Sequence, residues 1–132
     1  MRCGVYVRVS ADDQRDNGYS IDSQLRMIKE YCEKNSYDIV DVYNDAGHSG
    51  KDLMRPEMQR MLKDIKSHKI ETIVAIKVDR LTRNNYDGFW ILNYCEEYDV
   101  KIELILYTLV KQLYGYTRNS ETGHLEVEPI EA

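Results

Sequence analysis

Residues 71–78 read ETIVAIKV, a nearly continuous apolar run that is typical of a strand buried on both faces of a sheet. Such strands occur mainly in parallel sheets, which carry helices on both sides. The run leads directly into the charged segment DRLTR at residues 79–83. We therefore expect a parallel sheet with charged side chains where this strand ends.

Strand and helix patterns alternate on both sides of this segment. Runs rich in β-branched and aromatic residues predict strands, and apolar residues at helical spacing predict helices. This alternation predicts an α/β fold with a parallel sheet flanked by helices. The predicted strands are 2–9, 38–44, 71–78 and 100–106, and the predicted helices are 20–35, one that begins at Pro56, and 84–98.

The predicted helices have recognisable ends and faces. Ser20 is a suitable N-cap for the first helix, and Pro56 suits the first position of the second. The third helix carries Phe89, Leu92 and Cys95 on one side. Apolar residues of the second helix fall on one face: Met58, Met61, Leu62 and Ile65. For the tail we expect a short helix around Leu109 and Leu113, a turn at 119–123 and a strand at 124–128.

The composition limits the classes of protein to which this chain can belong. The chain has 132 residues, of which 42% are hydrophobic, and a net charge of −5. This size and apolar content fit one globular domain. A domain that held DNA mainly by its own surface should be basic, because phosphate neutralisation supplies most non-specific affinity. Any nucleic-acid role is therefore expected to depend on a local cluster of arginines.

The sequence also suggests a compartment. No apolar run approaches the roughly 20 residues of a membrane span, and the N-terminus lacks the pattern of a secretory signal. The three cysteines are widely spaced and odd in number, which is typical of reduced thiols in a cytoplasm. No CxxC motif is present and the histidines are isolated, so a zinc site is not expected.

Polar residues are predicted to converge at one edge of the sheet. Side chains alternate along a strand, so Arg8 and Ser10 point to the same side at the end of the first strand. Ligands of open parallel sheets bind outside the carboxyl ends of the strands. If the first and third predicted strands are neighbours, Asp79, Arg80 and Arg83 join them there. The three-residue spacing predicts that Arg80 and Arg83 share a helical face.

This set suits attack by a hydroxyl on a phosphodiester. Arginine is always charged and binds phosphate oxygens with a planar fork, where negative charge accumulates in the transition state. Asp79 is able to exchange a proton with the attacking or leaving oxygen. Taken singly, each of these residues is more often a turn serine or a solvated surface charge than part of an active site. The pattern alone predicts a soluble α/β domain with a phosphate-binding cleft as one interpretation.

Several motifs in order resemble the catalytic domain of the serine recombinases. The resemblance covers roughly residues 2–106, and its specificity comes from the order and spacing of all the motifs together. It implies a resolvase-like three-layer α/β domain, with a mainly parallel sheet of about four to five strands and helices on both faces. The matching motifs are YVRVS at 6–10, SIDSQ at 20–24, DAGHSG at 45–50, Arg55-Pro56, and DRLTR at 79–83.

The resemblance implies a covalent mechanism. Ser10 matches the nucleophile, which forms a 5′-phosphoserine linkage and frees a 3′-hydroxyl. Asp79 matches the acid near the leaving oxygen, and Gln24 matches a polar residue that helps to order the site. No metal ion or other cofactor is implied, because the phosphoserine bond conserves the energy for rejoining.

The resemblance also assigns the arginines. Arg8, Arg80 and Arg83 match those that surround the scissile phosphate, and Arg55 matches an active-site arginine of a mobile loop. The implied partners are duplex recombination sites and further copies of the chain, as a homodimer and a synaptic homotetramer. Neither a membrane nor a small-molecule substrate is implied. The motif GHSGKDLMRP at 47–56 and the segment before it resemble the large serine recombinases, which are phage integrases and transposases of mobile elements.

One departure from the family and two alternatives remain. The family continues with a long helix and DNA-binding domains, whereas residues 107–132 show no long amphipathic helix. We therefore divide the chain into a catalytic domain at 1–106 and an extension at 107–132, and expect the chain alone not to recombine DNA. A non-catalytic self-association module derived from a recombinase is one alternative. A nucleotide-binding or small-molecule phosphoester enzyme is disfavoured because no Gly-rich phosphate loop is present.

Overall fold

The predicted strands form one parallel sheet in the computed structural model, which describes residues 1–9, 19–106, 116–118 and 125–127. From one edge to the other, the sheet contains the second, first, third and fourth strands of the chain, so the first and third are neighbours, which meets the condition for the predicted convergence. A separate antiparallel pair is formed by β5 and β6. The strands are β1 (Arg2–Val7), β2 (Asp38–Asn44), β3 (Thr72–Ala75), β4 (Lys101–Leu104), β5 (Tyr116–Arg118) and β6 (Leu125–Val127).

Helices cover both faces of the sheet, which confirms the predicted three-layer α/β fold. On one face, Val5 and Val7 of β1 pack with the first helix. On the other face, Tyr6 packs with the second and fourth helices. Alternate residues of β1 therefore enter two separate cores, as the strand period requires. The helices are α1 (Ile21–Lys34), α2 (Pro56–Lys66), α3 (Val78–Leu81) and α4 (Asn85–Glu97).

The helix starts follow the sequence signals. Ser20 is the N-cap of α1, and its hydroxyl accepts a hydrogen bond from the Ser23 amide at 3.1 Å. Pro56 opens α2, where its missing amide hydrogen has no intrahelical partner to lose. The predicted apolar face of α2 is buried in full. Local chemistry was sufficient to predict these two helices.

The central strand is buried on both faces as predicted, but it is shorter. Every residue of β3 is buried, and the strand ends at Ala75. The prediction that it continues to Val78 is wrong, because Val78 begins the short helix α3. Main-chain carbonyls of α3 accept hydrogen bonds from Arg8 and Arg55, which lie far away in the chain. A local apolar pattern carries no information about those partners.

The side of α4 that carries Phe89, Leu92 and Cys95 is only partly buried. Phe89 and Leu92 are exposed, whereas Ile91 and Cys95 are buried. This helix is apolar around much of its circumference, so its sequence pattern does not select one face.

The tail is described only in part. β6 lies inside the strand predicted at 124–128, whereas the expected helix around Leu109 and Leu113 and the turn at 119–123 fall outside the described residues. Among the helices that the structure describes, none has the length and apolar character needed to cross a membrane.

Candidate active site

The candidate site lies where β1 and β3 end side by side. Arg8 follows β1 directly, and its side chain is fully buried. Its Nε donates to the Arg80 carbonyl oxygen at 3.1 Å, and Nη1 donates to the His48 carbonyl oxygen at 3.2 Å. Its Nη2 donates to the carbonyl oxygen of Asp79. This one guanidinium therefore joins three segments of the chain at the carboxyl edge of the sheet.

The positive charge of Arg8 is buried and lies near other cations, both of which disfavour the charged form. Burial, together with the neighbouring cations Arg55 and Arg83, lowers the pKa of Arg8 to about 10. At neutral pH the group is still protonated, because this pKa lies well above the solution pH. Carbonyl dipoles from three directions offset the cost of burying the charge.

Arg55 reaches the same place from the start of α2. It is the N-cap residue of that helix and is almost fully buried. Its Nε donates to the Asp52 carbonyl oxygen at 2.9 Å and its Nη1 to the Tyr6 hydroxyl at 2.7 Å. Its Nη2 donates to the carbonyl oxygen of Leu81. Arg55 thus connects the loop before α2 with β1 and α3.

Two residues of this network were not predicted as site residues. The Tyr6 hydroxyl donates to Asp45 Oδ2 at 2.7 Å, and both side chains are buried. Asp45 also accepts the amides of Glu57 and Met58, each at 2.9 Å, and so caps the start of α2. Burial raises the pKa of Tyr6, although nearby Arg55 opposes this. The available signal was the position of Asp45 directly after β2.

Gln24 connects α1 to the site. Its side chain is fully buried, and its Nε2 donates to the carbonyl oxygens of Arg8 and Tyr19, each at 3.1 Å. Because Arg8 and Ser10 are two residues apart, this contact fixes the main chain beside the predicted nucleophile. Gln24 is therefore placed to order this part of the chain.

Asp79 lies between two cations at the opening of the site. Its Oδ2 lies 3.4 Å from Lys77 Nζ, and its Oδ1 lies 3.5 Å from Arg80 Nε. About a third of the Asp79 side chain is exposed, whereas the Arg80 side chain is fully buried. Asp79 is thus the one acidic residue of the predicted set, and it is both partly accessible to solvent and close to a buried arginine.

The prediction that Arg80 and Arg83 share a helical face is wrong. The helix α3 ends at Leu81, and Thr82 is extended with φ −161°. Arg80 is therefore buried, whereas Arg83 is exposed. The Arg83 amide donates to the Gly50 carbonyl oxygen at 3.1 Å, so Arg83 remains attached to the loop that precedes α2.

The structure thus brings together the predicted residues that it describes. Ser10 lies outside the described residues. The cluster combines buried arginines that bind main-chain carbonyls with one exposed arginine at its rim. Such a concentration of guanidinium groups is suited to an oxyanion with several oxygens, such as a phosphodiester. The predicted residues that converge are Arg8, Gln24, Arg55, Asp79, Arg80 and Arg83.

Comparisons with known proteins point in the same direction. Residues 3–112 match the family described as Resolvase, N terminal domain. The crystal structure of the N-terminal catalytic domain of TP901-1 integrase is 31% identical, with a TM-score of 0.73. That match covers 80% of this chain and 77% of the integrase chain.

Two further relatives extend the comparison. A resolvase family site-specific recombinase from Streptococcus pneumoniae is 34% identical with a TM-score of 0.68, over 80% of this chain and 72% of that one. A putative DNA recombinase of Bacillus subtilis (strain 168) is 38% identical over 81 residues. The latter match covers 60% of this chain but only 15% of the Bacillus protein, so it concerns one part of a much longer relative.

Proposed function

Because the chain belongs to the resolvase N-terminal-domain family of serine recombinases, we propose that its Ser10 cuts duplex DNA and rejoins it. Ser10 Oγ forms a bond to phosphorus while the bond from phosphorus to the 3′ oxygen breaks. The Ser10 proton is released, and the leaving 3′ oxygen takes up a proton. Attack by a 3′-hydroxyl on the phosphoserine reverses these changes, so no external energy source is needed.

The observation that carries this proposal is the arginine cluster at the end of β1. Arg8 precedes Ser10 by two residues, and Arg80 bonds the Arg8 main chain with its Nη1 at 3.2 Å. Charge fixed in advance around a phosphate stabilises the transition state without reorganisation. In the proposed reaction Arg83 contacts the phosphate first, because it is exposed, and the buried arginines orient the surrounding backbone.

The proposal also assigns roles to residues beside the arginines and to the two parts of the chain. Asp79 is the group that exchanges a proton with the 3′ oxygen, and Gln24 holds the main chain at Arg8. Residues 1–106 form the catalytic unit and 107–132 an extension. The complete system acts on duplex DNA in the cytoplasm, as a homodimer and then a synaptic homotetramer, of the integrase or transposase type. No cofactor or metal takes part.

The test is to trap the covalent intermediate. The chain is fused to a zinc-finger domain of defined specificity and incubated with nicked duplexes that carry a randomised core between two finger sites. Mass spectrometry should find a 5′-phosphate on Ser10, with excess chelator present. Ser10→Ala should give no adduct, whereas Ser67→Ala, an exposed serine of the loop after α2, should match wild type.

Other results would contradict the proposal. An adduct on a tyrosine through a 3′-phosphate would show a different recombinase chemistry. Absence of any adduct, together with self-association of the chain, would favour the non-catalytic module. Activity that is lost in chelator and restored by magnesium would indicate a metal-dependent nuclease.

A further inference from the structure

Gly50 packs directly against the arginine cluster. It is buried in the loop that joins β2 to α2, and its carbonyl oxygen accepts the Arg83 amide at 3.1 Å. A Cβ added to Gly50 would lie 2.9 Å from Arg8 Nη2, 3.1 Å from Arg8 Cζ and 3.1 Å from Arg83 Cγ. The first of these distances is shorter than side chains tolerate, so the guanidinium of Arg8 uses the space that any other residue would fill.

The requirement at Gly50 is steric, as it is at Gly4, where an added Cβ would lie 2.8 Å from side-chain atoms of Ile70 and Tyr43, and it differs from that at Gly47 and Gly88. The φ of Gly47 is +84°, in the left-handed region, with open space around its position for a Cβ. Gly50 has no such backbone conformation, yet its Cβ would collide. Gly88 has neither constraint, because its Cβ would meet only Thr82 Cγ2 at an ordinary 3.5 Å.

The Arg8 guanidinium cannot easily move away from a Cβ at position 50. The end of a long side chain normally swings away at small cost. Nη2 of Arg8 is held by the carbonyl of Asp79, while Nη1 and Nε are held by His48 and Arg80. A shift of this guanidinium breaks hydrogen bonds in a fully buried place, which is costly. The loop or Arg83 would have to move if Arg8 did not.

We propose that Gly50 is a positioning residue, which sets the distance between the buried Arg8 and the exposed Arg83. Its missing side chain lets the loop lie on the Arg8 guanidinium, and its carbonyl holds Arg83 at the rim of the same site. The role in catalysis depends on the proposed function, whereas the contact with Arg8 does not. Every larger residue at position 50 displaces Arg83, which contacts the phosphate in the proposed reaction, from the buried Arg8, which orients the backbone beside it.

The first experiment compares Gly50→Ala with the matched control Gly88→Ala. In the zinc-finger fusion, G50A should lower the cleavage rate at saturating DNA by about tenfold to a hundredfold, because a misplacement near 1 Å has effects of that size. The dissociation constant for DNA should stay within about twofold, since the fingers supply most phosphate contacts. G88A should match wild type in both quantities.

A second readout requires no activity. In ¹⁵N-labelled unfused chain, the Arg8 Nε–Hε signal, assigned by its loss in Arg8→Lys, should shift in G50A and stay in place in G88A. A folded G50A with an unchanged signal and an unchanged rate would overturn the inference. If wild type forms no Ser10 adduct, the proposed function fails, and the signal still decides whether Gly50 positions Arg8.

A thermodynamic cycle covers the case in which G50A is unstable. The fall in melting temperature caused by G50A is measured in wild type and in the Arg8→Lys background, where no guanidinium occupies the space. We expect less than half the fall in the second background. Equal falls would mean that Arg8 is not what excludes a side chain at position 50.

Discussion

Arg8 and Arg80 hold each other's main chain through a reciprocal pair of hydrogen bonds. Arg8 Nε donates to the Arg80 carbonyl oxygen at 3.1 Å, and Arg80 Nη1 donates to the Arg8 carbonyl oxygen at 3.2 Å. Both side chains are fully buried. The pair fastens α3 to the end of β1 and places two positive charges side by side. The same groups therefore serve the fold and the candidate site.

Substitution of Arg8 should reduce stability even though the charge is kept. Arg8→Lys removes the planar guanidinium group, which donates hydrogen bonds to three main-chain carbonyl oxygens. Hydrogen bonds to charged groups contribute about 1.5–3 kcal/mol each. We expect the free energy of unfolding to fall by about 2 kcal/mol in urea titrations, since lysine retains part of the interaction. Arg26→Lys, on the exposed side of α1, is the control, and equal midpoints for the two variants would contradict this account.

Tyr6→Phe should loosen the start of α2. The Tyr6 hydroxyl donates to Asp45 Oδ2 and accepts from Arg55 Nη1, so its loss removes one hydrogen bond from each of two buried charged groups. The expected loss is about 1–3 kcal/mol in urea titrations, with faster hydrogen exchange at the Met58 amide. Tyr37→Phe, at a half-buried hydroxyl that donates to Glu103, should cost less. A larger effect at Tyr37 would count against the role of Tyr6.

Arg83→Ala should separate activity from stability. Arg83 is exposed, so its truncation should change the free energy of unfolding by no more than about 0.5 kcal/mol. Loss of one group that stabilises transition-state charge should slow Ser10 adduct formation by about a hundredfold or more. Arg26→Ala is the matched control for both measurements. Wild-type cleavage by folded R83A would remove Arg83 from the proposed site.

The cysteines should be unreactive in the folded protein. Burial raises the pKa of Cys3 and of Cys95 to about 12, so almost no thiolate of either is present at pH 8, and burial also raises the pKa of Cys32. Iodoacetamide should leave the native chain unmodified over a time in which the urea-unfolded chain gains three labels, one for each cysteine. Fast native labelling, read by intact mass, would mean that these side chains open readily.

Asp41 should stabilise the folded state at pH values above the ordinary pKa of an aspartate. The hydrogen bond from Arg60 lowers the pKa of Asp41 in the folded state to about 2, and Lys69 adds to this. The carboxylate is paired above about pH 4, so its contribution is present there and is lost as the pH falls toward 2. For this partly exposed group we expect about 1 kcal/mol. Urea titrations across this range should show a flatter pH dependence for Asp41→Asn, and an identical slope would refute the assignment.

Much of the fold was predictable because its signals are local. The period of two in β1 separates Val5 and Val7 from Tyr6, and the structure places them in different cores. The cap at Ser20 and the proline at position 56 mark helix starts through chemistry within a few residues. By contrast, α4 is apolar on several sides, so only its packing against the rest of the chain selected Ile91 and Cys95 as the buried residues.

The sequence by itself determined the order of strands and helices along the chain, the burial of β3 and the convergence of Arg8, Asp79 and Arg80 at one edge of the sheet. Tertiary structure decided which of them are buried and what they contact. Arg80 faces inward and Arg83 outward because α3 stops at Leu81, where arginines from distant segments bind its carbonyls. The deciding contacts join residues 26 to 72 positions apart, such as Arg55 with Leu81 and Arg8 with Arg80. Local periodicity reports on neighbours within one or two turns, whereas hydrogen bonds across that separation exist only once the chain has packed.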